Sequence, residues 1–263
     1  MNLIDTHCHI HSTDFTLDRE QVLADAQTAG ITKLICVGTD AADSQLAVEF
    51  AAKHDGVWAS VGLHPHDAKD ALTQKDQLTE LATANKVVAI GECGLDYWYE
   101  HTPRDTQQDV LRFQIELAQK YHLPLIFHIR GSKTDPNDAF KDFLSIFDSY
   151  SKAGAELKGV VHSFTAGQEQ LTGVLSRGLD VGLNGIMTFT KDDSQLAAAK
   201  AVPAGRMVLE TDAPYLTPSP KRGKVNEPQH LMLTAEFLAR LRGATTAQLA
   251  EQTTAAARQL FNI

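Results

Sequence analysis

Short apolar runs rich in β-branched residues alternate with longer segments of helical periodicity along the whole chain. This alternation restricts the fold more than any other feature of the sequence. The strand candidates are Leu3 to His7, Lys33 to Val37, Val57 to Leu63, Val87 to Glu92, Leu125 to His128, Gly159 to His162, Leu179 to Leu183 and Met207 to Thr211. Helical patterns lie between them, as in Arg19 to Ala29, Ser44 to Lys53, Asp105 to Tyr121 and Ala139 to Ser149. Strand followed by helix, repeated, predicts a parallel sheet. Eight such units in 263 residues match the size of an α/β (β/α)8 TIM barrel. An open doubly wound sheet is the alternative, but it usually has fewer strands. It would also bring an early phosphate-cradling glycine fingerprint, which this sequence lacks. The stretch from Pro228 to Phe261 predicts two extra C-terminal helices split at Gly243, the second capped by Thr245 or Thr246. Without a linker, low-complexity run or solenoid repeat, the reading is one domain over residues 1–263.

Hydrophobic residues make up 43% of the chain and charged residues 22%, enough to bury a large core. The formal net charge of -9 argues against a stable, non-specific nucleic-acid binder. It leaves a nuclease open, because bound divalent cations supply local positive charge. The three cysteines, Cys8, Cys36 and Cys93, lack paired spacing and fit a reduced, cytoplasmic setting. Apolar runs are too short and too often broken by charge to span a membrane, and a cleavable leader is not expected before His7.

Chemistry in such a barrel collects at the carboxyl ends of the strands. The first predicted strand ends at His7 and His9, which alternation places on one face. The fourth ends at Glu92, the fifth at His128, the sixth at His162 and the eighth at Asp212; the third runs into His64, Pro65 and His66. Singly, each has a plain structural reading: a hydrogen-bonded histidine, a salt-bridged glutamate, a turn aspartate before Pro214. Jointly, four histidines and two carboxylates at strand ends suffice for two metals sharing a carboxylate bridge.

Several motifs, taken together, resemble the TatD family of metal-dependent hydrolases and deoxyribonucleases within the amidohydrolase superfamily. They are Asp5-Thr6-His7-Cys8-His9, Gly62-Leu63-His64-Pro65, Gly91-Glu92-Cys93-Gly94-Leu95-Asp96, His128-Ile129-Arg130, His162-Ser163-Phe164, Glu210-Thr211-Asp212-Ala213-Pro214-Tyr215-Leu216 and Arg222 to Pro228. The resemblance implies that His7, His9, Glu92 and Asp212 hold one divalent cation. Glu92, His128 and His162 would hold a second, with Glu92 as bridge where many relatives in the superfamily use a carboxylated lysine. Zinc, manganese, nickel and magnesium are the candidate ions. Asp212 has the further expected role of accepting a proton from the attacking water. Two departures stand out. Ser163 replaces the usual cysteine, and alternation should turn it away from the site; Gly131-Ser132 replaces Asp-Ala, which bears on specificity.

Substrate contacts are expected from His64, Arg130, Glu210, Arg222 and Asn226. Arg130 shares a strand face with His128 and suits a phosphate clamp, with a surface ion pair as its plain reading. Glu210 shares a face with Asp212 and could orient a ligand or form a buried ion pair. Arg222 belongs to a small basic loop with Lys221 and Lys224. His66 reads as a solvent-exposed loop residue, and Cys8 and Cys93 as packing residues. The function expected is 3′-to-5′ phosphodiester hydrolysis of DNA, at single-stranded ends, by a monomer with two cations. Alternatives are hydrolysis of an amide or aminoacyl ester by the same activated water, and a non-enzymatic barrel that only binds.

Overall fold

Eight parallel strands pair in strict chain order to form one sheet. They are β1 (Leu3–Cys8), β2 (Ile31–Val37), β3 (Val57–Val61), β4 (Val87–Asp96), β5 (Leu125–Arg130), β6 (Gly159–Val161), β7 (Asp180–Leu183) and β8 (Met207–Leu209). This computed structural model describes residues 2–154 and 156–263; Met1 and Ala155 lie outside the described residues. The sheet curls until β8 meets β1. There His9 N–H donates to the Ala213 carbonyl (2.7 Å), Asp212 N–H to the His7 carbonyl (2.8 Å), and the Thr6 hydroxyl to the Leu209 carbonyl (3.1 Å). The expected TIM barrel is therefore present.

Helices α1 (Arg19–Thr28), α2 (Ala41–Lys53), α3 (Ala71–Leu81), α4 (Arg104–Tyr121), α5 (Asp138–Lys152), α6 (Gln168–Leu175) and α7 (Asp193–Ala201) fill the crossovers. They are followed by α8 (Leu231–Arg242) and α9 (Thr246–Phe261). Local chemistry sets their ends. The Asp18 and Asp40 carboxylates accept the N–H of Gln21 and Asp43 at the starts of α1 and α2. Gly243, at φ 68°, ends α8, and Thr245 with Gln248 forms a capping box that starts α9. Of the two C-terminal helices, α8 packs beside α7 and β8 and completes the outer ring, so only α9 is additional to the eight units.

The core has two parts. One lies between barrel and helices, as in the cluster of Phe127, Phe143 and Phe147. The other lies inside the barrel, where Ile4, Ile35, Ala89, Ile126, Val160 and Val208 meet. Ala256, Ala257, Leu260 and Phe261 of α9 join this inner cluster. α9 therefore closes the amino-terminal mouth of the barrel, leaving the carboxyl-terminal mouth open.

Strand ends differ from expectation for physical reasons. β4 extends to Asp96 because it keeps its ladder with β5 out to Asp96 opposite Arg130. β6 stops before His162, where Ser163 N–H goes to the Glu210 carboxylate (2.6 Å). β8 stops at Leu209, where Asp5 takes both the Thr211 N–H (2.9 Å) and its hydroxyl (2.5 Å). Side-chain acceptors have replaced strand partners at these points.

Candidate metal centre

Strict alternation along β4 would turn Glu92 outward. Ala89 belongs to the inner cluster and Ile90 to the outer one, so Gly91 should face in and Glu92 out. The register with β5 slips between Ile90 and Cys93, and this bulge re-aims Glu92 into the barrel. A second slip, between Asp5 and Cys8 in the β1–β2 ladder, lies beside His7. Cys8 and Cys93 join the outer core, as expected of packing residues.

Glu92 stands at the centre of the resulting cluster, and its two oxygens divide the nitrogens. Oε2 lies 3.3 Å from His7 Nε2 and 3.9 Å from His9 Nε2. Oε1 lies 2.9 Å from His128 Nδ1, 3.3 Å from His162 Nε2 and 3.6 Å from His64 Nε2. Asp212 Oδ1 completes the first side, 3.4 Å from His9 Nε2 and 3.7 Å from His7 Nε2. His7 and His9 direct their Nε2 atoms at one another across 3.1 Å. Donor atoms this close, all nitrogen and carboxylate, have the spacing of ligands that share a cation. Among the described residues three groups are close enough for this: His7 with His9 and Glu92, His7 with His162 and Asp212, and His64 with Glu92 and His128.

The second nitrogens test the fit. His9 Nδ1–H donates to the Val37 carbonyl (2.8 Å), His128 Nε2–H to Asp96 (3.0 Å), and His162 Nδ1–H to Glu210 (3.1 Å). Each contact turns the other ring nitrogen toward the cluster and, in the neutral imidazole that a cation requires, would fix the tautomer. His7 Nδ1 is the exception, being buried without a partner among the described residues. The donor set fits divalent-cation binding.

Electrostatics agree with ionised carboxylates. Burial would raise the Glu92 carboxyl, but the surrounding histidines, His162 foremost, hold it well below the usual carboxylate range. Asp212 is likewise lowered, burial being outweighed by its bond to His9 and the charges of His162 and His7. Burial pushes His64 down to about 3, so it is a neutral imidazole at neutral pH.

His9, His64, Glu92, His128, His162 and Asp212 line a cavity of about 720 Å³ at the carboxyl-terminal mouth, with Arg130, Tyr99, Ser163 and Tyr215 on its walls; His7 lies buried behind it. The expected substrate contacts fare unequally. His64 lies within the cluster, and Arg130 is exposed at the rim. The Arg130 guanidinium lies over the rings of Trp98 (4.9 Å) and Tyr99 (5.0 Å), with no carboxylate in ion-pair range among the described residues. For Glu210 the expected substrate contact is not seen, and the geometry matches the orienting reading: it is buried, and its Oε1 accepts from His162 and Ser163. Gly182 opposite provides the room, since a Cβ there would overlap the Glu210 carboxylate. Asn226 is corrected too. It is buried, and its amide donates to the carbonyls of Thr211 (2.9 Å) and Tyr215 (2.6 Å), which ties the loop after β8. Arg222 spends its guanidinium on the Thr217 carbonyl (2.8 Å) and the face of Phe189 (3.9 Å), bracing the same loop.

Ser163 lines the cavity, contrary to alternation, because the strand has ended and the chain turns at φ 49°. His66 is half-buried and bonded to Asp96 Oδ2 (3.1 Å), not a free loop residue. Asp96 is the site residue that sequence reasoning missed. One oxygen accepts from His128 and His66, the other from the N–H groups of Trp98 (3.0 Å) and Tyr99 (3.1 Å). Its spacing of two from Gly94 and four from Glu92 on one strand was the available signal.

The TatD-related DNase family model matches residues 4–262. The chain is 36% identical to a metal-dependent hydrolase, YabD, of Bacillus subtilis, over 99% of each chain. It is also 36% identical to the 3′-5′ ssDNA/RNA exonuclease TatD of Erwinia billingiae, again over 99% of each. Among solved structures, YjjV, a TatD homologue from Escherichia coli, superposes with a TM-score of 0.89 at 27% identity, covering 99% of this chain and 98% of that one.

Proposed function

This chain belongs to the TatD-related DNase family of metal-dependent hydrolases, and from that premise we propose that it removes nucleotides from the 3′ ends of single-stranded nucleic acid with two divalent cations. One observation carries the reading: Glu92 presents one oxygen to His7 and His9 and the other to His128 and His162. A carboxylate used on both sides is what a bridge between two cations requires. His7, His9, Glu92 and Asp212 would hold one, and Glu92, His128 and His162 the other; zinc, manganese, nickel or magnesium would serve. Bound there, the cations supply Lewis acidity, acidifying water and screening charge on phosphoryl oxygens.

The protein groups do the rest. Asp212, ionised at neutral pH and partly open to the cavity, accepts the proton of the attacking water. His64 Nδ1 accepts the His66 N–H (3.2 Å), so the neutral ring carries its proton on Nε2, which faces the cluster. His64 is thereby a hydrogen-bond donor to a phosphoryl oxygen. The six proposed donor residues all lie in one chain, so the site needs no residue from a second copy, and action as a monomer is the expectation. Among the described residues no helix is long and apolar enough to cross a membrane.

Metal analysis joined to a nuclease assay tests the reading. The metal-loaded protein should shorten single-stranded DNA from the 3′ end, and chelation should abolish this. Glu92→Ala should lose the second cation and more than about 100-fold of the activity, beyond the loss typical of outer-sphere partners. If DNA stays intact with every divalent ion while an amide or aminoacyl ester is cleaved, the substrate class is wrong.

A further inference from the structure

Four large hydrophobic residues are conspicuously exposed among the described residues, and three of them, Trp98, Tyr99 and Tyr215, lie on loops at the mouth that carries the metal centre. Tyr99 (50% exposed) follows β4 and Tyr215 (56% exposed) follows β8, and both line the cavity. In an eight-strand ring paired in chain order, β4 and β8 lie on opposite sides. The two rings stand at different places around the opening, Tyr215 beside His9 and Tyr99 beside His66 and Arg130.

Neither ring is loosely placed. Asp96 accepts the Tyr99 N–H with one oxygen and the His128 ring with the other, so one carboxylate keys the aromatic loop to a metal-facing histidine. The Tyr99 ring is stacked parallel to His101 (5.6 Å, 3°), and Arg130 lies 5.0 Å from it. Tyr215 N–H donates to the Asp212 carbonyl (2.8 Å), Asn226 holds the Tyr215 carbonyl, and the ring meets His9 edge-on at 6.2 Å. Half-exposed aromatic residues held in fixed positions beside a candidate cation site suit flat, partly polar ligands, which would join or displace the His101 and Arg130 contacts of Tyr99.

We propose that Tyr99 and Tyr215 are stacking platforms for unpaired bases flanking the scissile phosphate, and that they set the preference for single strands. This rests on the nucleic-acid reading given under Proposed function. Stacking on an aromatic ring is sequence-tolerant, because every base has a π-face. In a duplex those faces are covered by neighbouring base pairs, so the platforms grip only a strand whose end is free. Arg130, lying against Tyr99, adds positive charge for a phosphate of the bound strand.

The test measures binding apart from cleavage. The probe is a short 5′-fluorescein single strand with phosphorothioates at its 3′-terminal linkages, bound to metal-loaded protein and read by anisotropy. An abasic strand of the same backbone and a blunt duplex serve as comparisons. The wild-type protein should favour the base-bearing strand. Tyr99→Ala and Tyr215→Ala should each reduce that preference by roughly 5- to 100-fold, while Tyr99→Phe and Tyr215→Phe should keep it. Melting temperatures control for folding. Unchanged preference in both alanine variants, or no preference in the wild type, overturns the proposal. If the preference and its dependence on the rings hold but no phosphodiester is cleaved, the proposed reaction falls and the base-stacking surface stands.

Discussion

Asp96 shows how much a single residue outside the ligand set can govern. Its carboxylate accepts from two imidazoles and two backbone N–H groups at once, and these bonds, with the charge of His128, hold it ionised against the cost of burial. Asp96→Asn keeps one acceptor oxygen for the loop but sets an amide N–H₂ against donating rings, or forces His128 into the wrong tautomer. The expected result is a 10- to 100-fold weaker metal affinity, measured by competition with a chromophoric chelator. Affinity within twofold of wild type would mean that His128 is oriented by something else. The clustered residues were legible in the sequence, because His7, His9, Glu92, His128, His162 and Asp212 each follow an apolar run that announces its strand. Asp96 stands in one of the sequence motifs, but the sequence alone implies no role for it. Its partners His66 and His128 are 30 and 32 positions away, and no local pattern reports a contact through space.

At the scale of the element, β4 determines whether the centre exists. Its period of two would send Glu92 outward, and a bulge corrects this. Such a slip leaves no trace in hydrophobic periodicity, which is why the strand was found but its facing could not be derived. Gly94 makes the next step possible: at φ 149°, it lies where a Cβ would overlap the His128 carbonyl oxygen. Gly94→Ala must therefore adopt a disfavoured backbone angle and push β5 aside. We expect a loss of about 2–4 kcal/mol and a fall in melting temperature of roughly 4–15 °C, followed by circular dichroism. A melting temperature within about 2 °C of wild type would show that β4 and β5 separate without strain. Ser163 and the ends of β6 and β8 belong to the same scale. There buried carboxylates, not strand partners, terminate the ladder, and the alternation rule fails one residue earlier than a pattern can reveal.

For the whole molecule, the barrel places stability and chemistry at opposite mouths. The centre opens at the carboxyl ends of the strands, while α9 seals the amino ends with Leu260 and Phe261 packed on Ile4, Ile35 and Val208. The repeating strand–helix pattern made the barrel legible, and the cap made α9 legible as a helix. Its use as a plug was not legible, because an amphipathic helix looks the same whether it covers a flank or an end. Phe261 is 2% exposed and far along the chain from every residue of the cluster. Phe261→Ala should cost about 3–5 kcal/mol through lost burial and the cavity left behind, lowering the melting temperature by roughly 6–20 °C. Below that temperature the metal content and kcat/KM on single-stranded DNA should match wild type, because inner layers of rigid strands separate the plug from Glu92. Calorimetry and a steady-state assay at a temperature where both proteins are folded would settle the matter. A kcat/KM that falls along with stability would show that the two ends of the barrel are coupled, and that α9 helps to hold the metal centre in shape.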